Sequence, residues 1–496
     1  MSTTITSTLT VQSADQQTAI PPVIELQAQS QPLSSTSTPG PMVLPSEANT
    51  QLDDLPPSER YPTWRKILIL FTASWMTLAA TFSSTSLLPA APEIAAEFGT
   101  RAEVVSISNA GVLLAMGFAS FIWGPLSTII GRRHAYNLAI FIFLLFAIGA
   151  AVSKNFPTFV AMRTLAGFEA SFFMVAGQAM IADIFKPATR GTAIGFFMSG
   201  TVCGPALGPC VGGVMVTFTT WRAIFWLQAA MAGGGLLLAV IFVPTVSRSV
   251  IAQGDTMTEK RVRSRFNPMR VIELLIYPNI VLTDVACGLL SWTMYSLLTS
   301  PRTLINPRFH LTSPLVSGLF YLAPGAGFLI GTTVGGKWAD ITVRRNIIKR
   351  NGVRIAQDRL NSGTVAFFIL VPIATVIYGW CLQFTLGGLA VPIISIFFSG
   401  VGLMVAFSSL NTYCTEVMPG KRTEVMAGKY FIQYAFSAAG SATALPLINA
   451  IGVGAACTMS SAFAIVGGIL VLLTAKKGSS MQQWIDQWKK TQGNRE

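Results

Sequence analysis

A chain of 496 residues in which 51% are hydrophobic and only 11% charged lies far from soluble globular composition, where about 25% of residues are charged. The formal net charge of +13 does not mark a nucleic-acid binder, because the basic residues sit in short loops between apolar segments and not along one amphipathic face. The six cysteines (Cys203, Cys210, Cys287, Cys381, Cys414, Cys457) fall in or beside apolar segments without metal-ligand spacing, and they read as reduced packing residues.

Residues 1–60 are rich in Ser, Thr, Gln and Pro, and the first basic residue is Arg60. No basic stretch precedes an apolar run there, so the region is expected to be a disordered cytosolic tail and not a signal peptide. Twelve apolar segments follow, each near the ~20 residues that cross a bilayer. They are predicted at 66–89, 104–126, 135–153, 157–181, 191–217, 222–244, 274–299, 313–338, 362–382, 386–411, 425–449 and 453–474. A polar, basic linker at 246–272 separates a six-helix bundle at 61–245 from a second at 273–475, and a cytosolic tail closes the chain at 476–496. One set of loops receives Arg65, Lys66, Arg132, Arg133, Lys186, Arg190, the linker, Arg344 through Arg359, Lys421, Arg422, Lys476 and Lys477. The other receives Arg101, Lys154, Arg222, Arg302 and Arg308. By the positive-inside rule both termini face the cytosol.

In chain order the first motif is Gly124 to Arg133, which aligns without gaps on Gly336 to Arg345 in the second half; Thr128 stands where the second copy has Asp340, and Arg132-Arg133 match Arg344-Arg345. Such a repeat implies two halves that rock about a central site. Ionisable residues at membrane depth come next, and by default they are functional candidates. Arg163, Gly167, Ala170, Met174 and Gln178 share one helical face at 100° per residue. That face either lines a pathway or leaves Arg163 to satisfy neighbouring carbonyls. Glu169 points elsewhere, as a structural ion-pair member or a proton carrier. Asp284 is expected about 15 Å into the seventh segment, with Ser291 and Tyr295 on its face; it either protonates or pairs with a cation on another helix. Lys429 and Gln433 share a face on the eleventh segment, with snorkelling to water as the alternative for the lysine. Gly327, Gly331 and Gly335 form a packing stripe, Trp221 to Trp226 reads as an interfacial aromatic anchor, and Met481 to Lys490 is a candidate membrane-surface segment.

Between Gly200 and Gly213 the chain carries five glycines and two prolines inside an apolar segment, which describes a kinked, closely packed membrane helix. The spacing of Gly204, Pro205, Gly208, Pro209, Gly212 and Gly213 resembles the antiporter signature of the major facilitator superfamily, in the form found in twelve-span drug:proton antiporters. The Gly124 and Gly336 motifs resemble that superfamily's loop motif, Arg163 to Gly167 its RxxxG motif, and Asp183, Arg190 and Gly191 its gate loop. The resemblance implies an all-α membrane protein, twelve transmembrane helices in two six-helix pseudo-repeats. It also implies a latch aspartate, which Thr128 replaces in the first half and Asp340 keeps in the second.

Segments Thr299 to Phe309, Gly335 to Asp340, Arg354 to Leu360 and Leu410 to Met418, with Gly177-Gln178, resemble fungal exporters of organic acids. That branch implies Arg163 and Gln178 as substrate-pathway residues. Chemically, a di- or tricarboxylate needs buried positive charge and donors, here Arg163, Lys429, Gln178, Gln433, Tyr295 and Tyr413. The inside-negative potential expels an anion with about 2.3 kcal/mol per charge per 100 mV. The expected protein is therefore a plasma-membrane efflux transporter and no enzyme. It is expected to be a monomer in the lipid bilayer, to carry a small organic anion such as citrate or itaconate, and to use protons through Glu169 or Asp284 if coupled. No cofactor, metal or nucleic acid is expected. The rival reading is a multidrug or secondary-metabolite:proton antiporter; a membrane sensor finds no support in the short tails.

Overall fold

The computed structural model describes residues 61–185, 187–243, 269–299, 304–305, 308–310, 319–418 and 421–493. The predicted N-terminal tail, the linker up to residue 268, and residues 300–303 and 306–307 of the Thr299 to Phe309 segment lie outside the described residues. Among the described residues there is no strand, and twelve long helices carry the chain: α1 (Thr63–Thr85), α2 (Ala102–Ile130), α3 (Arg132–Ala151), α4 (Phe156–Ile184), α5 (Pro187–Phe218), α6 (Arg222–Phe242), α7 (Pro278–Thr299), α8 (Leu322–Lys349), α9 (Val371–Phe384), α10 (Ala390–Glu416), α11 (Arg422–Ile451) and α12 (Val453–Gly493). A short helix, Ala91–Glu97, extends α1, while a 3-10 stretch and a π turn (Ala356–Gly363, Ala366–Leu370) lead into α9. Among the described residues eleven of these units are long and apolar enough to cross a membrane; α8 over Leu322–Lys349 is not one of them, and residues 311–318 ahead of it lie outside the described residues.

The packing repeats six helices on. α1 lies against α5 as α7 lies against α11, α2 against α4 as α8 against α10, and α3 against α6 as α9 against α12. Two further pairs, α2 with α11 and α5 with α8, join the halves. Each half is thus one six-helix bundle, and the seam between them is formed by equivalent helices.

The glycine–proline run of α5 is a rail for α1. A Cβ at Gly204 would run into Thr81 and meet the Phe82 amide nitrogen at 2.7 Å, and one at Gly208 would meet the Ser86 nitrogen at 3.2 Å. Thr72, Ser74, Thr77, Thr81 and Thr85 turn their hydroxyls back onto carbonyls four residues earlier in α1, so a helix rich in hydroxyls is buried without orphaned donors. Thr85 Oγ1 also donates to the Gly204 carbonyl at 3.3 Å.

The two copies of the repeated motif do not fold alike. The first is cut at Gly131, which takes φ +87° between α2 and α3. The aligned residue of the second copy is Val343, buried inside α8, which runs unbroken to Lys349 and turns only at Asn351 (φ 54°) and Gly352 (φ 94°). A β-branched residue cannot take the left-handed backbone that glycine allows, so the second motif lies wholly on a helix where a loop was expected. Likewise α12 does not stop at 474 but continues to Gly493.

Candidate functional site

Four polar groupings sit inside the bundle. The first is a ladder across the seam. Ser84 of α1 meets Tyr295 of α7 through their hydroxyls at 3.5 Å, Tyr434 of α11 donates to Met174 Sδ of α4 at 3.4 Å, and Gln178 Nε2 donates to the Tyr430 hydroxyl at 3.4 Å. Tyr430 and Tyr434 stack at 6.2 Å, one helical turn apart. The face predicted for α4 is therefore real over its lower half, where Met174 and Gln178 look onto α11. Phe431 closes the adjoining α2–α11 contact against Phe118 and Phe121, at 5.2 and 4.9 Å.

The second grouping surrounds Arg163, seven residues or about 10 Å into α4. It is buried. Its Nη2 donates to Asn109 Oδ1 of α2 at 3.0 Å, and the guanidinium lies over Phe159 at 5.7 Å and Phe225 of α6 at 5.9 Å. Two rings lie against the cation, while among the described residues Arg163 Nη1 and Asn109 Nδ2 have no hydrogen-bond partner. Nearby Glu169 is buried and faces the indole of Trp123 on α2, itself stacked on Phe172 at 4.9 Å. Glu169 has no ion-pair partner among the described residues, and its Oε2 accepts no hydrogen bond.

The third lies in the second half between α7, α10 and α11. Lys429 is 1% exposed, so it does not snorkel. Its ammonium donates to Asn411 Oδ1 and stands 4.1 Å from the Tyr430 ring centroid. Asp284, fully buried, lies within electrostatic reach of Lys429; the Cys414 thiol points to its Oδ1 at 3.9 Å, and its Oδ2 has no hydrogen-bond partner among the described residues. Because α7 starts at Pro278 and not at 274, Asp284 is about 9 Å into the helix, nearer its start than the sequence suggested. Cys287 Sγ contacts Gln433 Oε1 at 3.4 Å. Tyr413 instead accepts from Asn279 Nδ2 at 3.1 Å inside the second half.

The fourth is a set of ion pairs at the end of the bundle where the basic loops gather. Arg132 pairs with Asp183, and Arg133 Nη2 donates to the Val240 carbonyl at 2.8 Å. In the second half Arg359 bridges Asp340 of α8 (2.6 Å) and Glu416 of α10 (3.1 Å), Arg354 joins Glu416 at 2.7 Å, and Arg350 joins buried Asp358 at 2.8 Å. Arg344 and Arg345 are exposed. The side chains of Thr128 and Arg190 lie outside the described residues, as does the surround of Gly124, and Gly336 has open space about it. Arg359→Gln leaves two carboxylates without their shared cation and is expected to lower stability by about 1 kcal/mol, read as a drop in melting temperature of the detergent-purified protein. An unchanged melting curve would show the bridge to be idle.

The aromatic anchor expected at Trp221 to Trp226 is corrected at its first residue: Trp221 is 4% exposed, its Nε1 donates to Glu97 Oε2 at 2.5 Å, and it packs among Phe98, Phe159 and Phe225, whereas Trp226 is 50% exposed. Asn109, Asn411, Tyr430 and Tyr434 are site residues that the sequence did not single out. Neutral polar and aromatic side chains in apolar helices carry no signal of which neighbour they meet; only the i, i+4 spacing of Tyr430 and Tyr434 beside Lys429 hints at a shared face.

The sequence profile of the Major Facilitator Superfamily matches residues 73–442. Among curated proteins the chain is 28% identical to the MFS transporter fsa7 of Fusarium sp. (strain FN080326), over 85% of this chain and 87% of that protein. It is 22% identical to the MFS antiporter QDR3 of Candida albicans (86% and 80%) and 24% identical to the efflux pump radE of Floropilus chiversii (81% and 78%). The fold also matches the crystal structure of the human organic anion transporter MFSD10 with a TM-score of 0.63 at 16% identity, over 83% of this chain and 100% of that one. A partially occluded inward-open xylose transporter XylE from E. coli matches with a TM-score of 0.62 at 14% identity, over 84% and 98%. The chain belongs to the major facilitator superfamily.

Proposed function

We infer that this major facilitator exports a small organic acid, a di- or tricarboxylate of the citrate or itaconate kind, by alternating access across the plasma membrane, with both termini cytosolic. The observation that carries this reading is a pair of buried cations, Arg163 in one half and Lys429 in the other. Neither has a carboxylate within 4 Å among the described residues, and each is held by an asparagine. A buried cation is costly: Arg163 faces no acidic group among the described residues, Lys429 has Asp284 beyond 4 Å, and a carboxylate substrate brings negative charge to both. The cations sit at opposite depths, Arg163 near the start of α4 and Lys429 near the start of α11, which enters from the other end. Between them the seam offers the hydroxyls of Tyr295, Tyr430 and Tyr434 and the amide of Gln178. Resemblance to the fungal organic-acid exporters points the same way. Asp284, beside Lys429, and Glu169 are the groups that would carry a proton if export is coupled.

The test is expression in a host that makes both citrate and itaconate, with acids measured in the medium over time. One acid is expected to rise selectively. Arg163→Ala is expected to abolish that rise while the protein stays in the membrane; export at the wild-type rate by this variant would remove Arg163 from the site.

A second reading has its own support. The seam contacts are rich in Phe118, Phe121, Phe431, Tyr430, Tyr434 and Met174, surfaces that accept apolar compounds, and relatives carry the names efflux pump and antiporter. If no acid accumulates from a correctly localised protein, resistance of the host to toxic apolar metabolites is the measurement that decides for this reading.

A further inference from the structure

Helix α12 runs on for a further stretch beyond the bundle, and its course is fixed by register. Thr293 Oγ1 donates to the Ser460 carbonyl at 3.2 Å, and a Cβ on Gly467 would lie 3.5 Å from the Ala286 carbonyl. The two contacts are seven residues apart on each helix, so α7 and α12 are antiparallel and level, and this register puts Tyr277 opposite Lys476. Asp486 is ten residues further on, about 15 Å along a straight helix and beyond the reach of a tyrosine side chain. Yet Tyr277 Oη donates to Asp486 Oδ1 at 2.9 Å, and Lys489 Nζ stands 4.8 Å from the Tyr277 ring centroid. These two contacts hold the part of the helix past Gly478, Ser479 and Ser480 beside Tyr277. That part is brought level with Tyr277, the residue just before the apolar span Pro278–Leu298.

At that level the segment is two-faced. Ile485 is 4% exposed and belongs to the main core, and Asp486 and Lys489 dock on Tyr277. On the other side Trp484 and Trp488, one turn apart, are 63% and 45% exposed. Lys477 shares their face at 100° per residue, and Lys476 and Lys490 are exposed on the same stretch of helix against the single Asp486. Tryptophan settles where hydrocarbon gives way to headgroups, and clustered lysines beside an apolar stripe select anionic lipid.

We propose that Met481 to Thr491 is a lipid-docking helix whose Trp484–Trp488 face occupies the membrane interface at the basic end of the bundle and binds anionic phospholipid headgroups. Because Tyr277 opens α7, lipid bound there bears directly on the helix that carries Asp284. The proposal stands apart from any choice of substrate.

The full-length protein in nanodiscs, doped with diazirine-bearing phosphatidylglycerol, tests it by photocrosslinking and peptide mapping. Crosslinks are expected in the peptide spanning Met481 to Thr491, depleted by excess unlabelled phosphatidylglycerol and not by phosphatidylcholine. They are expected to fall about fivefold in Trp484→Ser/Trp488→Ser, whose changes lie on an exposed face and leave the bundle intact. Crosslinks confined to the spanning helices would overturn the proposal. So would equal depletion by phosphatidylcholine, or capture of a second protein chain in place of lipid.

Discussion

Lys429→Met is expected to abolish transport and to lower stability by about 3 kcal/mol, the scale seen when one partner of a buried charged pair is removed. The cause is what remains. Asn411 loses its donor, and Asp284, fully buried with one oxygen unpartnered, loses the only cation within its electrostatic reach among the described residues. Asp284→Asn in the same chain removes that stranded charge, so the double variant is expected to regain most of the stability and none of the transport. Thermal unfolding in detergent and flux in proteoliposomes separate the two effects. If Lys429→Met moves substrate at the wild-type rate, the lysine is structural and the anion site lies elsewhere. If the double variant melts as low as the single one, the two residues are not coupled.

The second large effect is expected from a single methyl group. Gly204→Ala places a Cβ against Thr81 and against the Phe82 backbone nitrogen at 2.7 Å, and backbone cannot step aside as a flexible side chain can. Overpacking of this kind costs about 1–3 kcal/mol. Here it also pushes α1 away from α5, so loss of transport with reduced melting temperature is expected. Gly195→Ala and Gly233→Ala are the controls. Both glycines lie inside helices with nothing within 4 Å of the added carbon, and both changes are expected to be neutral or to gain up to about 1 kcal/mol. Equal damage at all three positions would mean that helix flexibility, and not close approach, is the reason for the glycines.

These two predictions mark what could be read from the chain alone. Membrane helices announce themselves by runs of apolar residues, so nine of the twelve were placed within five residues at both ends, and the glycine rail was legible because glycine and proline are out of place in such a run. Arg163, Asp284 and Lys429 stood out for the same reason. What they meet was not legible. An asparagine in an apolar helix, such as Asn109 or Asn411, has no periodic partner in sequence, and the approach of Asp284 to Lys429 joins residues 145 positions apart. Trp221 was misplaced because a Trp beside an Arg at a helix start reads as an anchor until Glu97 is brought to it by the fold. The lengths of α8 and α12 were missed because charged residues suggested loops where Val343, in the one case, keeps the helix turning.

The glycine stripe of α8 decides how it is held in the second half. Lys337, Asp340, Arg344 and Arg345 crowd the far end of the helix, and glycines 327, 331 and 335 form one face of the rest. Its glycine stripe is shaped for α10: Gly327 lies against the Phe397 carbonyl, Gly331 against that of Val401, and Gly335 against the Val405 backbone. α8 and α10 therefore meet main chain to main chain over about two turns, and any side chain larger than glycine at those three positions would force the two helices apart.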